Sequence, residues 1–159
     1  YLDWVEGFEN DDVIAEAQSP KKIRIIQVIN FIKEIRDYGR ERNPDFLVIQ
    51  QNGTALANGH PELFKIIDGV AQEEVWYDGE ATDDWDDQEG YDSPVPASWR
   101  KEYLVNLKKF KKADIPIFNC EYALNYANQA YQNSYQQGFI PYCSRRSLSK
   151  ITTTPPPKY

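Results

Sequence analysis

The sequence predicts an α/β protein built on a parallel sheet with helices packed outside it. Five short apolar runs of strand length alternate with segments of helical periodicity, and this alternation is typical of parallel sheets. The run 46–49 is continuously apolar, as expected of a strand buried on both faces. Right-handed crossovers should place the runs side by side, parallel and in chain order. They begin at Leu2, Phe46, Ile67, Ile115 and Phe139.

The segments between these runs carry helix signals. Ser19 and Pro20 form a capping residue followed by a proline suited to a first helical turn. Apolar residues then recur at helical spacing from Ile25 to Ile35, and Gly39 should end this helix near Arg40. Further helices are expected at residues 60–65, 98–112 and 124–135.

Composition and charge exclude several classes of protein. The 159 residues are 41% hydrophobic, which fits a single folded domain, and no apolar run approaches the ~18 residues of a membrane span. The net charge of −7 arises in residues 78–92, which hold eight acids and no base, leaving 17 acids against 18 bases elsewhere. Because no basic stripe exists, we expect no nucleic-acid partner.

The chain is poor in metal-binding and nucleophilic residues. It has one histidine, His60, and two cysteines, Cys120 and Cys143. A structural zinc site needs about four ligands, which is more than these residues supply. A Ser-His-Asp triad is improbable, because His60 would have to be its histidine. We therefore expect no metal and no cofactor, and any chemistry should be carried by carboxylates.

Polar clusters follow four of the predicted strands. In a (β/α)8 barrel the active site assembles at this end of the strands, so the clusters should share one rim. Two carboxylates on opposed strand ends suit glycoside hydrolysis, while aromatic and amide groups suit polyhydroxylated ligands. An acid-assisted lyase, a sugar-binding pseudoenzyme and solvated strand ends are the alternatives. The clusters are Asp3-Trp4, Gln51-Asn52, Glu73-Glu74 and Glu121-Tyr122.

The acidic segment has three interpretations. Counted from Asp84, Gly90 falls at the seventh position, whereas an EF-hand calcium loop needs glycine at the sixth. A solvated loop is therefore favoured over a calcium site. A third interpretation is that the segment attracts a cationic substrate to the rim.

Several short motifs resemble glycoside hydrolase family 114, the endo-alpha-1,4-polygalactosaminidase-like proteins. The longest is Ile67-Asp68-Gly69-Val70-Ala71-Gln72-Glu73, and Tyr1-Leu2-Asp3 and Gln51-Asn52-Gly53 also fit. The resemblance implies a TIM barrel with a catalytic Asp closing the fourth strand and a catalytic Glu closing the sixth. Carried onto this sequence, these residues are Asp3 and Glu73.

The resemblance and the strand ends together give roles to the candidate residues. Glu73 is expected to be the proton-transferring acid, because neighbouring Trp76 and Tyr77 should partly shield it, and Asp3 the nucleophile or base. Glu74 is the alternative to Glu73 as the catalytic glutamate, since two consecutive glutamates allow the motif to be aligned in two ways that differ by one residue. Substrate contacts are expected from Trp4, Gln51, Asn52, Glu74, Tyr77, Glu121 and Tyr122.

The resemblance also bears on the extent of the domain and its setting. Residues 1–159 would be the C-terminal portion of one barrel domain, supplying approximately strands 4 to 8, and a complete barrel has ~250 residues. We therefore expect that ~100 further residues precede Tyr1, or that another chain supplies them. The implied substrate is a cationic galactosamine polysaccharide, outside the cell or in its envelope. A non-catalytic carbohydrate-binding barrel is the alternative function.

Overall fold

The computed structural model of the protein describes residues 1–79 and 92–158. Its α-helices and parallel sheet confirm the α/β class expected from the sequence. Short 3-10 helices at Val5–Glu9, Thr54–Ala57 and Pro61–Lys65 join the larger elements. The α-helices of the described part are α1 (Asp11–Ala17), α2 (Lys21–Arg42), α3 (Ala97–Lys112) and α4 (Ala127–Gln137).

The strands of the described part are β1 (Ile49–Gln51), β2 (Gly69–Glu73), β3 (Tyr77–Asp78), β4 (Ser93–Pro94), β5 (Ile117–Glu121) and β6 (Ile140–Cys143). Four of them form a parallel sheet at the centre of the molecule, in the order β1-β2-β5-β6, and β3 and β4 form a separate pair. Leu2 adds a single parallel bridge to Gln50 on the free edge of β1, so the five segments lie in the predicted order. Within the described residues the sheet is open, with no pairing between Leu2 and β6.

Most strands begin later than the apolar runs that predicted them, and they include the polar residues expected beyond their ends. The strand predicted at 46–49 lies at Ile49–Gln51. The polar side chains are accommodated because they bind the backbone of the sheet. Gln50 donates to the carbonyl of Asn52 at 2.8 Å, and Asn119 donates to the carbonyl of Gln72 at 3.0 Å.

Helix α2 is longer than predicted, because Gly39 does not end it. Pro20 is its N-cap residue, and Gly39 lies inside the last turns. A Cβ atom at Gly39 would stand 2.3 Å from the ring of Phe46, so this glycine allows a close approach between the helix and the chain that follows. A glycine can therefore mark close packing against a helix as well as the end of the helix.

The end of α2 is fixed to the start of the sheet by one ion pair. The Arg40 guanidinium lies 2.7 Å from the carboxylate of Asp68 and also donates to the carbonyl of Phe46 at 3.2 Å. The second oxygen of Asp68 accepts the backbone N–H of Val48 at 2.8 Å. This pair therefore sets how the helix meets the N-terminal ends of β1 and β2.

The two faces of the sheet have different surroundings. Helices cover one face, where Ile32, Val70, Phe110 and Tyr131 are among the core residues. The other face lines an open cavity of about 510 Å³ with apolar side chains. Side chains alternate along a strand, so Glu73 shares this second face with Ala71. The face is lined by Tyr1, Ile49, Ala71, Phe118, Asn119, Cys120, Ile140, Pro141 and Tyr142.

The small antiparallel pair flanks the acidic segment. Tyr77 pairs with Pro94 and Asp78 with Ser93, while residues 80–91, on which the calcium and loop interpretations depend, lie outside the described part of the chain. None of the helices in residues 1–79 and 92–158 is both long and apolar enough to cross a bilayer. Cys120 and Cys143 are free thiols.

Gly79 gives a test of the packing at the end of β3. A Cβ atom there would lie 2.6 Å from the carbonyl oxygen and 2.8 Å from the Cβ of Tyr122, so Gly79→Ala must displace backbone. Overpacking of this kind typically costs ~1–3 kcal/mol, and we expect a loss of that size in urea unfolding. Gly7→Ala is the control, because its nearest contact would be an ordinary 3.7 Å. Equal stability of the two variants would contradict the packing described.

Candidate active site

Glu73 ends β2, and both of its carboxylate oxygens are held by neighbouring side chains. The Tyr122 hydroxyl donates to one oxygen, and the Asn52 amide donates to the other at 3.1 Å. Tyr122 follows β5 and Asn52 follows β1, so three adjacent strand ends meet at this carboxylate. The prediction that these strand ends converge is correct for Glu73, Asn52 and Tyr122.

Asn52 is itself fixed in orientation. Its side-chain oxygen accepts the backbone N–H of Glu73 and the side-chain amide of Gln72, each at 3.0 Å. With both donors on the oxygen, the amide nitrogen must face Glu73. The sequence predicted a substrate contact for Asn52, and the structure shows that it first positions the carboxylate.

The donors on Glu73 are neutral groups, one phenol hydroxyl and one amide. In the same contact, burial and the charge of Glu73 raise the pKa of the Tyr122 phenol, so Tyr122 keeps its proton and remains a donor. This arrangement suits a nucleophile or base at Glu73. The role of proton donor, expected from the shielding by Trp76 and Tyr77, stays a prediction.

Glu121 has a different position from the one predicted. Its side chain is fully buried, and its carboxylate accepts backbone N–H groups from three consecutive residues of the β2–β3 connection. The bonds to Val75, Trp76 and Tyr77 measure 2.9, 3.1 and 2.8 Å. Glu121 is therefore a support of the site rather than the predicted substrate contact, because no face of its carboxylate is open to a ligand.

A buried polar chain continues from Glu121 into helix α4. Asn119 donates to the Glu121 carboxylate at 2.8 Å and accepts from the hydroxyl of Ser134 at 2.6 Å. Ser134 in turn accepts the indole N–H of Trp76 at 2.8 Å. Burial raises the pKa of Glu121 to about 7, against the lowering effect of its N–H donors. The chain ties β5, α4 and the β2–β3 connection to one another.

Three successive strand ends carry a non-glycine residue in the left-handed region. The φ angles are +47° at Trp4, +55° at Asn52 and +54° at Glu74. Asparagine tolerates this conformation, but tryptophan and glutamate occupy it at a cost of ~1–3 kcal/mol each. The described residues also include Gln18, Asp114 and Leu148 with positive φ, so the conformation alone does not mark a functional site. The conformation also turns Glu74 away from the direction that a regular strand would give it.

Asp3 and Trp4 lie at the edge of this region and are exposed. Trp4 is 58% exposed, and its backbone N–H is bound by the side chain of Gln51 at 3.0 Å. Burial, together with the charges of Glu73 and Asp3, raises the pKa of the Tyr1 phenol to about 12. Both predicted catalytic carboxylates thus act on the same Tyr1 hydroxyl.

Glu74 belongs to a separate ion cluster with Asp78 and Arg146. The Arg146 guanidinium lies 3.3 Å from Glu74, 3.7 Å from Asp78 and 5.8 Å from the ring centre of Tyr122. Both carboxyl groups thus approach the same guanidinium. Burial first, and then the neighbouring Asp78, raise the pKa of Glu74 to about 8, so Glu74 holds a proton near neutral pH.

The remaining predicted substrate contacts are engaged within the protein. Gln51 is buried, and its oxygen binds the backbone of Trp4. Tyr77 stacks on Tyr126 with ring centres 5.1 Å apart and planes at 4°. Because Tyr126 is half exposed, this pair offers a flat aromatic surface beside the strand ends.

Sequence reasoning missed several members of the site. Arg146 follows β6, so applying the strand-end rule to the fifth apolar run would have found it. Glu6 carried no such signal, because it lies in the 3-10 helix after Leu2, where it accepts the N–H of Gly53 at 2.8 Å. Burial raises the pKa of Glu6 as well. Among the described residues, no group of three or more His, Cys, Asp or Glu side chains is arranged to hold a metal ion.

The fold is similar to that of a solved carbohydrate-active domain. The glycoside hydrolase domain of PelA from Pseudomonas aeruginosa matches with a TM-score of 0.62 and 18% identity, over 82% of this chain and 48% of the solved one. The chain therefore has a glycoside hydrolase-like α/β fold. No family model matches the sequence.

Two relatives from bacteria extend over nearly the whole chain. An uncharacterized protein of Deinococcus radiodurans is 24% identical over 158 residues, and one of Thermotoga maritima is 29% identical over 162 residues. The alignments cover 98% and 93% of this chain but 45% of each relative. The chain thus spans about half the length of the curated relatives that it matches.

Removing the buried carboxylate tests its role as a support. Glu121→Ala leaves three backbone N–H groups and the Asn119 amide without their acceptor. An unsatisfied buried donor costs ~1–3 kcal/mol, so we expect a loss of at least ~3 kcal/mol in urea unfolding. Glu121→Gln keeps one acceptor oxygen and should lose less. A Glu121→Ala variant as stable as Glu102→Ala, an exposed control on α3, would contradict this assignment.

The raised pKa of Glu74 predicts a dependence of stability on pH. Because the folded protein holds this proton to about pH 8 and the unfolded chain releases it near 4.3, the stabilising contribution is complete below pH ~4.3 and is lost as the pH rises towards 8. We expect the free energy of unfolding to fall between pH 5 and 8, and Glu74→Gln to reduce that slope. Glu102→Gln should leave it unchanged. A slope that is the same in both variants would disprove the prediction.

Proposed function

We propose that the protein is a glycoside hydrolase that cleaves an amino-sugar polysaccharide, as the endo-alpha-1,4-polygalactosaminidase-like proteins of family 114 do. The observation that carries this proposal is the Glu73 carboxylate, held from both sides by Tyr122 and Asn52 at the C-terminal end of a parallel sheet. In α/β folds with parallel strands, this end is where active sites assemble. The glycoside hydrolase-like fold supports the same reaction class.

Glu73 acts in this proposal as the negatively charged member of a carboxylate pair. Glycosidases need one carboxylate that attacks the anomeric carbon or activates water, and one carboxylic acid that protonates the leaving oxygen. The two neutral donors on Glu73 hold its charge in place while a positive charge develops on the sugar ring. The resemblance implies Asp3 as the second carboxyl group, beside the Leu2 bridge on the other edge of β1 from β2.

The charge around Glu73 favours a cationic substrate. Four further carboxyl groups surround the strand ends, and one of them, Asp78, is the first residue of the acidic segment 78–92. A polymer with free amino groups would be drawn to such a region, and the exposed face of Trp4 suits stacking on a sugar ring. We place this polymer outside the cell or in its envelope. The four groups are Asp3, Glu6, Glu74 and Asp78.

We propose a TIM barrel as the complete architecture in which this site works. The cavity face of the sheet is apolar yet partly uncovered, with Ile140 53% exposed, and Leu2 forms an unpaired edge beyond β1. Both features suit a sheet whose curvature is continued by further strands. The relatives are about twice as long as the aligned region, which leaves enough length for the remaining strands.

Substitution of Glu73 tests the proposed function. The substrate is partly deacetylated galactosaminogalactan, and release of reducing ends is the measurement. Glu73→Gln should lower turnover by at least ~100-fold, because it removes the charge while keeping the shape. Tyr122→Phe and Asn52→Ala should each give a smaller loss, since each removes one donor from the carboxylate. Asp45→Asn, on the exposed turn after α2, is the matched control.

The outcomes separate hydrolysis from binding. A Glu73→Gln variant that cleaves at the wild-type rate would exclude Glu73 from the chemistry. If the wild-type protein cleaves nothing across a broad polysaccharide panel but binds one of its members, the carbohydrate-binding alternative is the correct function. The exposed Trp4 and the stacked Tyr77–Tyr126 pair would serve such a binder equally well, so their substitution alone does not decide the question.

A further inference from the structure

Two buried glutamines from adjacent strands bind Asn52, the residue that follows β1. Gln50 in β1 is 0% exposed and Gln72 in β2 is 4% exposed. Gln50 donates to the backbone carbonyl of Asn52 at 2.8 Å, and Gln72 donates to its side-chain oxygen at 3.0 Å. Of these two glutamines, therefore, Gln72 is the one that binds the amide group facing Glu73.

We infer that Gln72 is a positioning residue, which fixes the Glu73 carboxylate through the side-chain amide of Asn52. This inference rests on the proposed glycosidase function and deepens it, because it adds a second layer of residues behind the reacting carboxylate. Side chains alternate along a strand, so Gln72 lies on the opposite face of β2 from Glu73. Its route to the carboxylate therefore runs through Asn52.

The orientation of the Asn52 amide decides what Glu73 meets. Half a turn of an asparagine amide exchanges a donor nitrogen for an acceptor oxygen. In the observed orientation the nitrogen of Asn52 donates to Glu73 at 3.1 Å, whereas the reverse orientation would place an oxygen against the carboxylate. The backbone N–H of Glu73 and the side-chain nitrogen of Gln72, each 3.0 Å from the Asn52 oxygen, select the first orientation. The backbone donor is present in every variant, so the selection that a substitution can remove is that of Gln72.

Gln72 is itself fixed, so that it can serve as this donor. Its side-chain nitrogen also donates to the backbone carbonyl of Glu73 at 3.0 Å, and both of its acceptors would repel an oxygen in that place. The backbone carbonyl of Gln72 accepts a hydrogen bond from Asn119 at 3.0 Å, and Asn119 also donates to Glu121. The support behind Glu73 is thus joined to the buried polar chain of β5.

Two substitutions of Gln72 separate orientation from packing. Gln72→Met keeps the length and removes the donor, so turnover of partly deacetylated galactosaminogalactan should fall ~3–10-fold, the size of one lost hydrogen bond, with KM almost unchanged. Gln72→Glu keeps the shape better but places an oxygen against the Asn52 oxygen, which favours the reversed amide, and should lower turnover further. A residue that only fills space would give the opposite order. Gln129→Met, at an exposed position on α4, is the control.

A double-mutant cycle tests whether Gln72 acts through Asn52. In the Asn52→Ala background, Gln72→Met should cause no further loss of turnover, whereas independent roles would multiply the two losses. Gln50→Met removes a comparable buried amide but leaves both donors on the Asn52 oxygen, so it should lower turnover less than Gln72→Met does. Multiplied losses in the cycle, or a Gln72→Met variant with wild-type turnover, overturn the inference.

The Asn52 amide can also be followed by NMR without any substrate. In 15N-labelled protein its two proton signals, assigned by their loss in Asn52→Ala, should shift in Glu73→Gln, because this amide donates to that carboxylate. Gln72→Met should broaden or move the same signals, and Gln50→Met should leave them in place. Asn52 signals that do not respond to Gln72→Met overturn the inference.

The failures can be told apart. Should Gln72→Glu fold poorly by circular dichroism, Gln72→Met with its cycle and its NMR signals still decides the role of Gln72. An inactive Glu73→Gln with a fully active Gln72→Met overturns the positioning role alone and leaves the proposed function intact. A wild-type protein that cleaves nothing, with Asn52 signals that respond to Gln72→Met, overturns the proposed hydrolase and supports the positioning of Glu73 by Gln72.

Discussion

The candidate site depends on the buried carboxylate of Glu121 and the three backbone N–H groups that it binds. These bonds fix the path of the chain from Val75 to Tyr77, and this path starts immediately after Glu73 and Glu74. A turn with three free N–H groups inside a protein would be unstable, so the charged acceptor lets the connection pass through the interior. The interaction uses a strand-end residue of β5 to shape the strand end of β2. Two neighbouring strands therefore build one site together.

Stability and function make opposite demands on this region. Glu121 is a fully buried ionisable group whose pKa is raised by burial, and the left-handed residues Trp4 and Glu74 cost conformational energy. The hydrophobic core on the other side of the sheet, with Ile32, Leu107 and Phe110 fully or almost fully buried, offsets these costs. The division is typical of α/β proteins, in which the strands provide a rigid support and their C-terminal ends carry the reactive groups.

The sequence predicted the order of the strands well and their limits less well. Apolar runs identify the buried part of a parallel strand, but they do not reveal that Gln50, Gln72 and Asn119 continue it by binding backbone groups within the sheet. The strand-end rule found Glu73, Asn52 and Tyr122, whose contact is local to adjacent strands. The rule could not predict that the carboxylate of Glu121 is closed to ligands. The burial of Glu121 depends on the path of the Val75–Tyr77 segment, which covers its carboxylate. Arg146 follows the fifth strand, so the same rule applied there would have found it, whereas Glu6 lies in a 3-10 helix and its residue type alone gave no reason to place it at the site.

Three glutamates within a few residues of the same strand ends illustrate how surroundings assign chemistry. Glu121 receives backbone donors and is closed to ligands. Glu73 receives neutral side-chain donors and faces the open side of the sheet. Glu74 meets another carboxyl group and an arginine. Because burial and a like charge both oppose ionisation of a carboxyl group, these surroundings raise the pKa of Glu74. Acid–base chemistry on sugars requires carboxyl groups in different surroundings, and here the surroundings follow from which strand end each group meets.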